Sequence, residues 1–220
     1  MTSRAPRKSI VVALALAGST VAMPAFAGPP LLCHPFQIGS AHSLPWDGGT
    51  AWFEGKADYK LSHLVADTEA ILVPSTPVIV RMETLRRAAI YGSRDEAVAG
   101  ELLKRASDRT RDTDGTAAAL AYLDLAYLVG AFRQISALDG PTSPFSGRSA
   151  YLQPLVTRLD AYALVKKSLL LKPGDCSLEF AAALIAADSN RAAYEAHARR
   201  ARAGASTDPL LALNIAAVSH

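Results

Sequence analysis

From residue 59 onward, apolar positions recur at three- and four-residue spacing, the period of a helix with one buried face. Leu61, Leu64, Val65, Thr68, Ile71 and Leu72 predict a helix over 59–73, with Asp58 as its N-cap. The run PSTP at 74–77 stops it, and Thr76 followed by Pro77 has the chemistry of a new helix start. That second helix, 77–91, is expected to bury Val78, Met82, Leu85 and Ala89, to turn Arg81, Arg86 and Arg87 to solvent, and to end at Gly92. Ser93 and Glu96 form a capping box for a third helix reaching about Ala106, and the polar run 107–115 reads as a loop.

Residues 117–138 are the most apolar stretch, with Asp124 and Arg133 as their charges. A carboxylate in mid-segment argues for a central helix packed on several sides rather than for a membrane span. The turn-rich run 139–147 follows, and Pro154 is placed in the first turn of a helix reaching Leu171, which KPGD at 172–175 ends. The last third is the most regular. A helix over 176–188 breaks at Ser189-Asn190, an alanine-rich helix runs to Arg202 with Gly204 as C-cap, and Thr207-Asp208-Pro209 opens a final helix.

Residues 28–57 differ, because Pro29, Pro30, Pro35, Pro45 and the Gly48-Gly49 pair break any regular element while Trp46, Trp52 and Phe53 supply bulky apolar surface. They read as an extended arm that packs Phe36, Ile38, Leu44 and Trp46 onto the helices. The fold class is therefore all-α, a helical-hairpin array or a compact bundle of about eight helices over 58–220, with an extended N-terminal arm.

The first 27 residues stand apart. Arg4, Arg7 and Lys8 form a basic region, Ile10–Ala17 is apolar, and Ala25-Phe26-Ala27 offers small residues at a cleavage site, which reads as a signal peptide cut after Ala27. Leu32 stands before Cys33 where lipidation would need a small residue, so no stable membrane insertion is expected after cleavage. Of 23 Lys+Arg, three leave with that segment, and the remainder carries 20 against 20 Asp+Glu. A chain so balanced lacks the charge footprint of a nucleic-acid binder. The expected location is periplasmic or extracellular. Cys33 and Cys176 are outside any C-x-x-C spacing, and in an oxidising compartment two cysteines predict one structural disulfide, worth up to about 5 kcal/mol in the chain-entropy model.

Residues 175–210 resemble one degenerate tetratricopeptide unit. Two antiparallel helices are lined by small alanines, Pro209 stands near the closing position, and the helix starts near Cys176 and Pro209 are separated by about the 34-residue period of that family. Ile185 departs from the pattern, which expects a small residue there. The chain as a whole is similar to a group of exported bacterial proteins that open with a CHP…SLPW segment, here residues 33–46, followed by PVIVRMETLRRAAIY, here residues 77–91. That resemblance implies export and fold, and carries no activity.

For chemistry, His34, His42 and His63, with Asp47, Glu54 and Asp58 nearby, are candidate ligands of a zinc-type ion and define a metal-assisted hydrolase as the alternative function. Their spacings of 8 and 21 match no zinc signature, and His63 with Asp67 at i+4 reads equally as a solvated pair. There is no G-x-S-x-G elbow, no S-x-x-K pair in a helical setting and no glycine-rich phosphate cradle, so neither catalytic residues nor a cofactor are assigned. Trp46 and Trp52 could stack on a ligand or glue the arm to the body. Arg199, Arg200 and Arg202 lie in the last turn of their helix, where positive charge complements the dipole, and form either a solvated face or a rim for an acidic partner. The functional expectation is an exported helical-repeat interaction protein that binds a peptide or protein partner in the periplasm or cell envelope, its oligomeric state left open.

Overall fold

The computed structural model describes residues 1, 30–47 and 51–218. The predicted signal segment beyond Met1 and the Gly48-Gly49 pair lie outside the described residues. Among those residues the chain is all-α, with nine α-helices and no strand. In order they are α1 Leu64–Ile71, α2 Val78–Gly92, α3 Glu96–Asp112, α4 Gly115–Ala137, α5 Ser149–Val156, α6 Ala161–Leu171, α7 Cys176–Ala186, α8 Arg191–Gly204 and α9 Pro209–Asn214, with 3₁₀ turns at Leu61–His63 and Ile215–Val218.

α4 is the axis of the fold. It packs against α2, α3, α5, α6 and α7, so its apolar residues are covered on nearly every side. By length and composition it could cross a membrane, yet 78% of its apolar stretch is buried within the protein. Leu123, Tyr127, Phe132 and Ile135 are fully enclosed, and each such side chain contributes about 1.5–3 kcal/mol of burial. α7 and α8, joined by a short turn, form a tightly packed hairpin that α6 and α4 hold from the α7 side.

Helix starts follow short polar side chains. Asp95, Asp160, Asp175, Asn190 and Asp208 each accept backbone N–H groups of the turn they open. This corrects several sequence expectations. Asp95, rather than Ser93, caps α3, because Ser93 is buried and donates its hydroxyl to the Ile90 carbonyl. α3 continues to Asp112 through most of the predicted loop, its charged last turns carrying the Lys104–Asp108 and Arg111–Asp108 pairs. The first predicted helix starts later, after a 3₁₀ turn, and Asp58 does not cap it. Pro154 lies inside α5, a separate short helix, and α6 is opened by Asp160. Gly174, at φ 78°, makes the left-handed turn between α6 and α7.

Residues 30–47 contain neither helix nor strand, and they place Leu31, Leu32, Phe36 and Leu44 in the core. The Phe36 ring meets Tyr127 and Phe180 edge-on at 6.4 and 6.0 Å. Leu31 is seated most closely. Its N–H donates to Gln134 Oε1 at 3.0 Å, its carbonyl accepts the Tyr127 hydroxyl at 2.6 Å, and its side chain fills the space left by Gly130, where a Cβ would stand 2.6 Å from Leu31 Cδ1.

The predicted Cys33–Cys176 disulfide is not formed in this structure, where both cysteines are free thiols. Cys176 opens α7 and presses on Gly204 of α8, whereas Cys33 follows Leu32, whose carbonyl is held by Arg86 of α2. Chain continuity and side-chain hydrogen bonds, not a sulfur bridge, fix the N-terminal segment.

Candidate functional site

Polar chemistry in this protein concentrates in three clusters, two of them on α2. Glu83, fully buried, accepts the Phe36 N–H at 3.0 Å, Arg86 through Nε and Nη2 at 2.8 and 2.9 Å, and Arg87 Nε at 2.7 Å. Arg86 then donates to the carbonyls of Leu32 and Trp52 at 3.3 and 3.0 Å, and Arg87 to that of Leu44 at 2.5 Å. Both guanidiniums lie over the Trp46 ring, 4.8 and 5.8 Å from its centroid. Both guanidiniums share the one Glu83 carboxylate, and each of these chain carbonyls has a donor, which is what allows the ionised groups to be enclosed. Nearby Cys33 has its thiol pKa pushed up by burial, against a smaller opposing pull from Arg86.

The second cluster sits where α1 ends against α2, α3 and α4. Asp124 of α4 accepts Arg81 through Nε at 2.9 Å and Nη2 at 2.5 Å, and Arg109 of α3 at 2.9 Å. Arg81 also caps the end of α1 and the residues after it, donating to Val73 O at 2.7 Å and Leu72 O at 3.3 Å. Beside it opens a cleft of about 210 Å³. The expectation that Arg81 and Arg86 face solvent is wrong: both are completely buried, and the Arg87 side chain is only 18% exposed.

The third cluster joins α6, α7 and α8. Glu179 accepts Arg200 Nε at 2.7 Å and meets His197 Nδ1 at 2.5 Å, while His197 Nε2 is 3.1 Å from the Tyr162 hydroxyl. Arg200 Nη2 also lies 2.8 Å from His197 Nδ1, so the imidazole is held between the Glu179–Arg200 pair and the Tyr162 hydroxyl and links a buried acid to a half-buried phenol. Sequence reasoning missed His197. Its signal was positional, since His197 falls between Tyr194 and Ala201 on the stripe that α8 buries. A cleft of about 260 Å³ lies between α4, α6 and the end of α7, its rim set by Arg133, Asp160 and Asp188 over Leu31 and Ile185.

The residues singled out from sequence are dispersed. His34 is half-buried beside the core, with burial pushing its imidazole toward the neutral form; His42 is exposed next to Thr76 and Pro77; His63 is exposed just before α1. The structure does not bring these three together, and no group of three or more His, Cys, Asp or Glu able to hold a metal occurs among the described residues. Asp67 accepts the Tyr59 hydroxyl at 2.7 Å. Trp46 is occupied by Arg86 and Arg87, and Trp52 packs on Phe53 and Phe145. Of the three C-terminal arginines, Arg199 is exposed, Arg200 holds Glu179, and Arg202 donates to Val218 O at 2.5 Å, binding α8 to the last turn of the described chain. Arg191 and Glu195 form the pair their i,i+4 spacing predicts, at 2.6 Å.

Comparison with known proteins finds no matching family model, no matching curated protein and no matching solved structure.

Proposed function

We propose that the chain is an exported helical protein that binds a peptide or protein partner in the periplasm or cell envelope. In this reading residues 175–210 act as a tetratricopeptide-like hairpin, and residues 28–57 as an arm strapped across the helices. The observation that carries it is that two of the open clefts, of about 260 and 210 Å³, each combine apolar lining with charged side chains, the construction of a recognition surface. The buried ionic groups support the same reading, since they join helices and hold the chain at Phe36 and Trp52. Export rests on the basic, apolar and small-residue pattern of residues 1–27. The alternative of a metal-assisted hydrolase loses the ligand set on which it stood.

Photo-crosslinking in the native host tests this reading. A crosslinking residue at Ala137 or Ser189, both exposed at the 260 Å³ cleft, is expected to give a discrete adduct that the same residue at Lys104 on α3 does not. Adducts at neither cleft position, or equal adducts at all three, would overturn it. N-terminal sequencing of the exported chain is expected to begin at Gly28, and an unprocessed start would overturn the export step.

A further inference from the structure

We infer that the cleft at the end of α1 is a carboxylate-binding site, built to take the C-terminal carboxylate of a partner polypeptide that ends in an aliphatic residue. This rests on the peptide-binding reading and names the chemistry of one of its sites.

Charge balance is the first reason. Arg81 and Arg109 share one carboxylate, Asp124, so the cluster carries one uncompensated positive charge. The nearest further acid on α1, Glu69, is already taken by a two-pronged bond from Arg105 at 2.9 and 2.9 Å. Asp124 does not itself line the cleft. It lines a narrow gap between α1, α3 and α4, whereas the cleft itself is lined by both arginines and by no acidic residue.

Donor geometry is the second. Arg81 is spent on Asp124 and the carbonyls of Leu72 and Val73. Arg109 is not. Its bonds among the described residues, to Asp124 and to Leu72 O at 3.1 Å, all leave from Nη2, so Nε and Nη1 keep their N–H groups for a ligand. A guanidinium with one edge anchored and the other open is pre-organised for a carboxylate, and a charge-assisted bond there is stronger than one made by a mobile surface side chain.

The walls and the size decide what the carboxylate is attached to. Apart from Thr113, whose hydroxyl is given to Arg109 O, the rest of the lining is apolar, Leu72, Val73, Pro74, Ala117 and Leu120, and Val73 remains 43% exposed. At about 210 Å³ the cleft falls below the roughly 300 Å³ at which drug-sized sites begin, which suits a single aliphatic side chain with its carboxylate. The end of a polypeptide presents both on one residue.

Calorimetric titration of the purified full chain tests this with three probes: an N-acetylated tripeptide ending in leucine with a free carboxylate, the same peptide as its C-terminal amide, and 4-methylpentanoate. The free-acid peptide is expected to bind saturably, the amide at least tenfold more weakly, and the short acid more weakly than the peptide. Arg109→Gln should lose at least tenfold with an unchanged far-UV spectrum. Val73→Glu, at an exposed rim position that leaves the Asp124 bonds intact, should do the same. Equal binding of acid and amide, no binding of the free-acid peptide, or indifference to both substitutions would overturn the site. Tighter binding of 4-methylpentanoate than of the peptide would overturn the polypeptide as the source of the carboxylate. If crosslinking at Ala137 or Ser189 captures a partner while these titrations fail, the interaction reading stands and this site falls.

Discussion

Arg81 and Asp124 face each other across the contact between α2 and α4 in a two-pronged ion pair, both side chains 1% exposed. Enclosed charges of this kind hold only as a set, because removing one partner leaves the other without water or counter-charge. Asp124→Ala strands two guanidiniums and is expected to cost about 3–5 kcal/mol, read as a large fall in the urea midpoint. Replacing the pair by apolar residues, Arg81→Met with Asp124→Leu, should cost less than Asp124→Ala alone. A loss under about 1 kcal/mol for Asp124→Ala would show that the pair is not closed in solution.

Thiol chemistry separates this architecture from a disulfide-stapled one. Titration of the non-reduced chain after unfolding is expected to give both Cys33 and Cys176 as thiols, with the same unfolding midpoint with and without reductant. Because burial raises the pKa of Cys33, its alkylation at pH 8 should be slower in the folded than in the unfolded chain.

At the start of α7, a Cβ on Gly204 would stand 2.1 Å from Cys176 Sγ and 2.4 Å from Cys176 Cβ. Gly204→Ala is therefore expected to destabilise by about 1–3 kcal/mol despite alanine's better helix propensity. Cys176→Gly removes both opposing atoms, so the double variant should recover most of that loss. Equal cost in both backgrounds would place the strain elsewhere.

His34 gives a pH dependence with a definite sign. Burial lowers its folded pKa below the ordinary 6.5, so the unfolded chain binds the proton more readily. Its contribution is complete above the unfolded value and is lost as pH falls through the folded one. Urea unfolding is expected to show stability falling from pH 7 toward acid, with His34→Gln flattening that part of the profile. An unchanged slope in the variant would assign the effect to other groups.

Spacing and short polar residues carried much of the helical plan. The apolar stripes of residues 59–73, 77–91 and 117–138 located α1, α2 and α4, and Asn190 and Asp208 marked true helix starts. These features are local: a period of 3.6 and a side-chain oxygen bonded two or three residues ahead are both written within one turn of chain. What only the tertiary structure decided is which polar groups lie inside. Arg81, Glu83 and Arg86 occupy positions that a one-stripe helix gives to water, and local periodicity assigned the two arginines there. α2 is instead enclosed on one side by α4, which brings Asp124, and on another by residues 31–47 and 51–52, which bring the carbonyls of Leu32, Leu44 and Trp52. His197 entered the core by the same route, through Glu179 of a neighbouring helix. A buried charge is stabilised by partners far away in sequence, and a hydrophobic period holds no record of them.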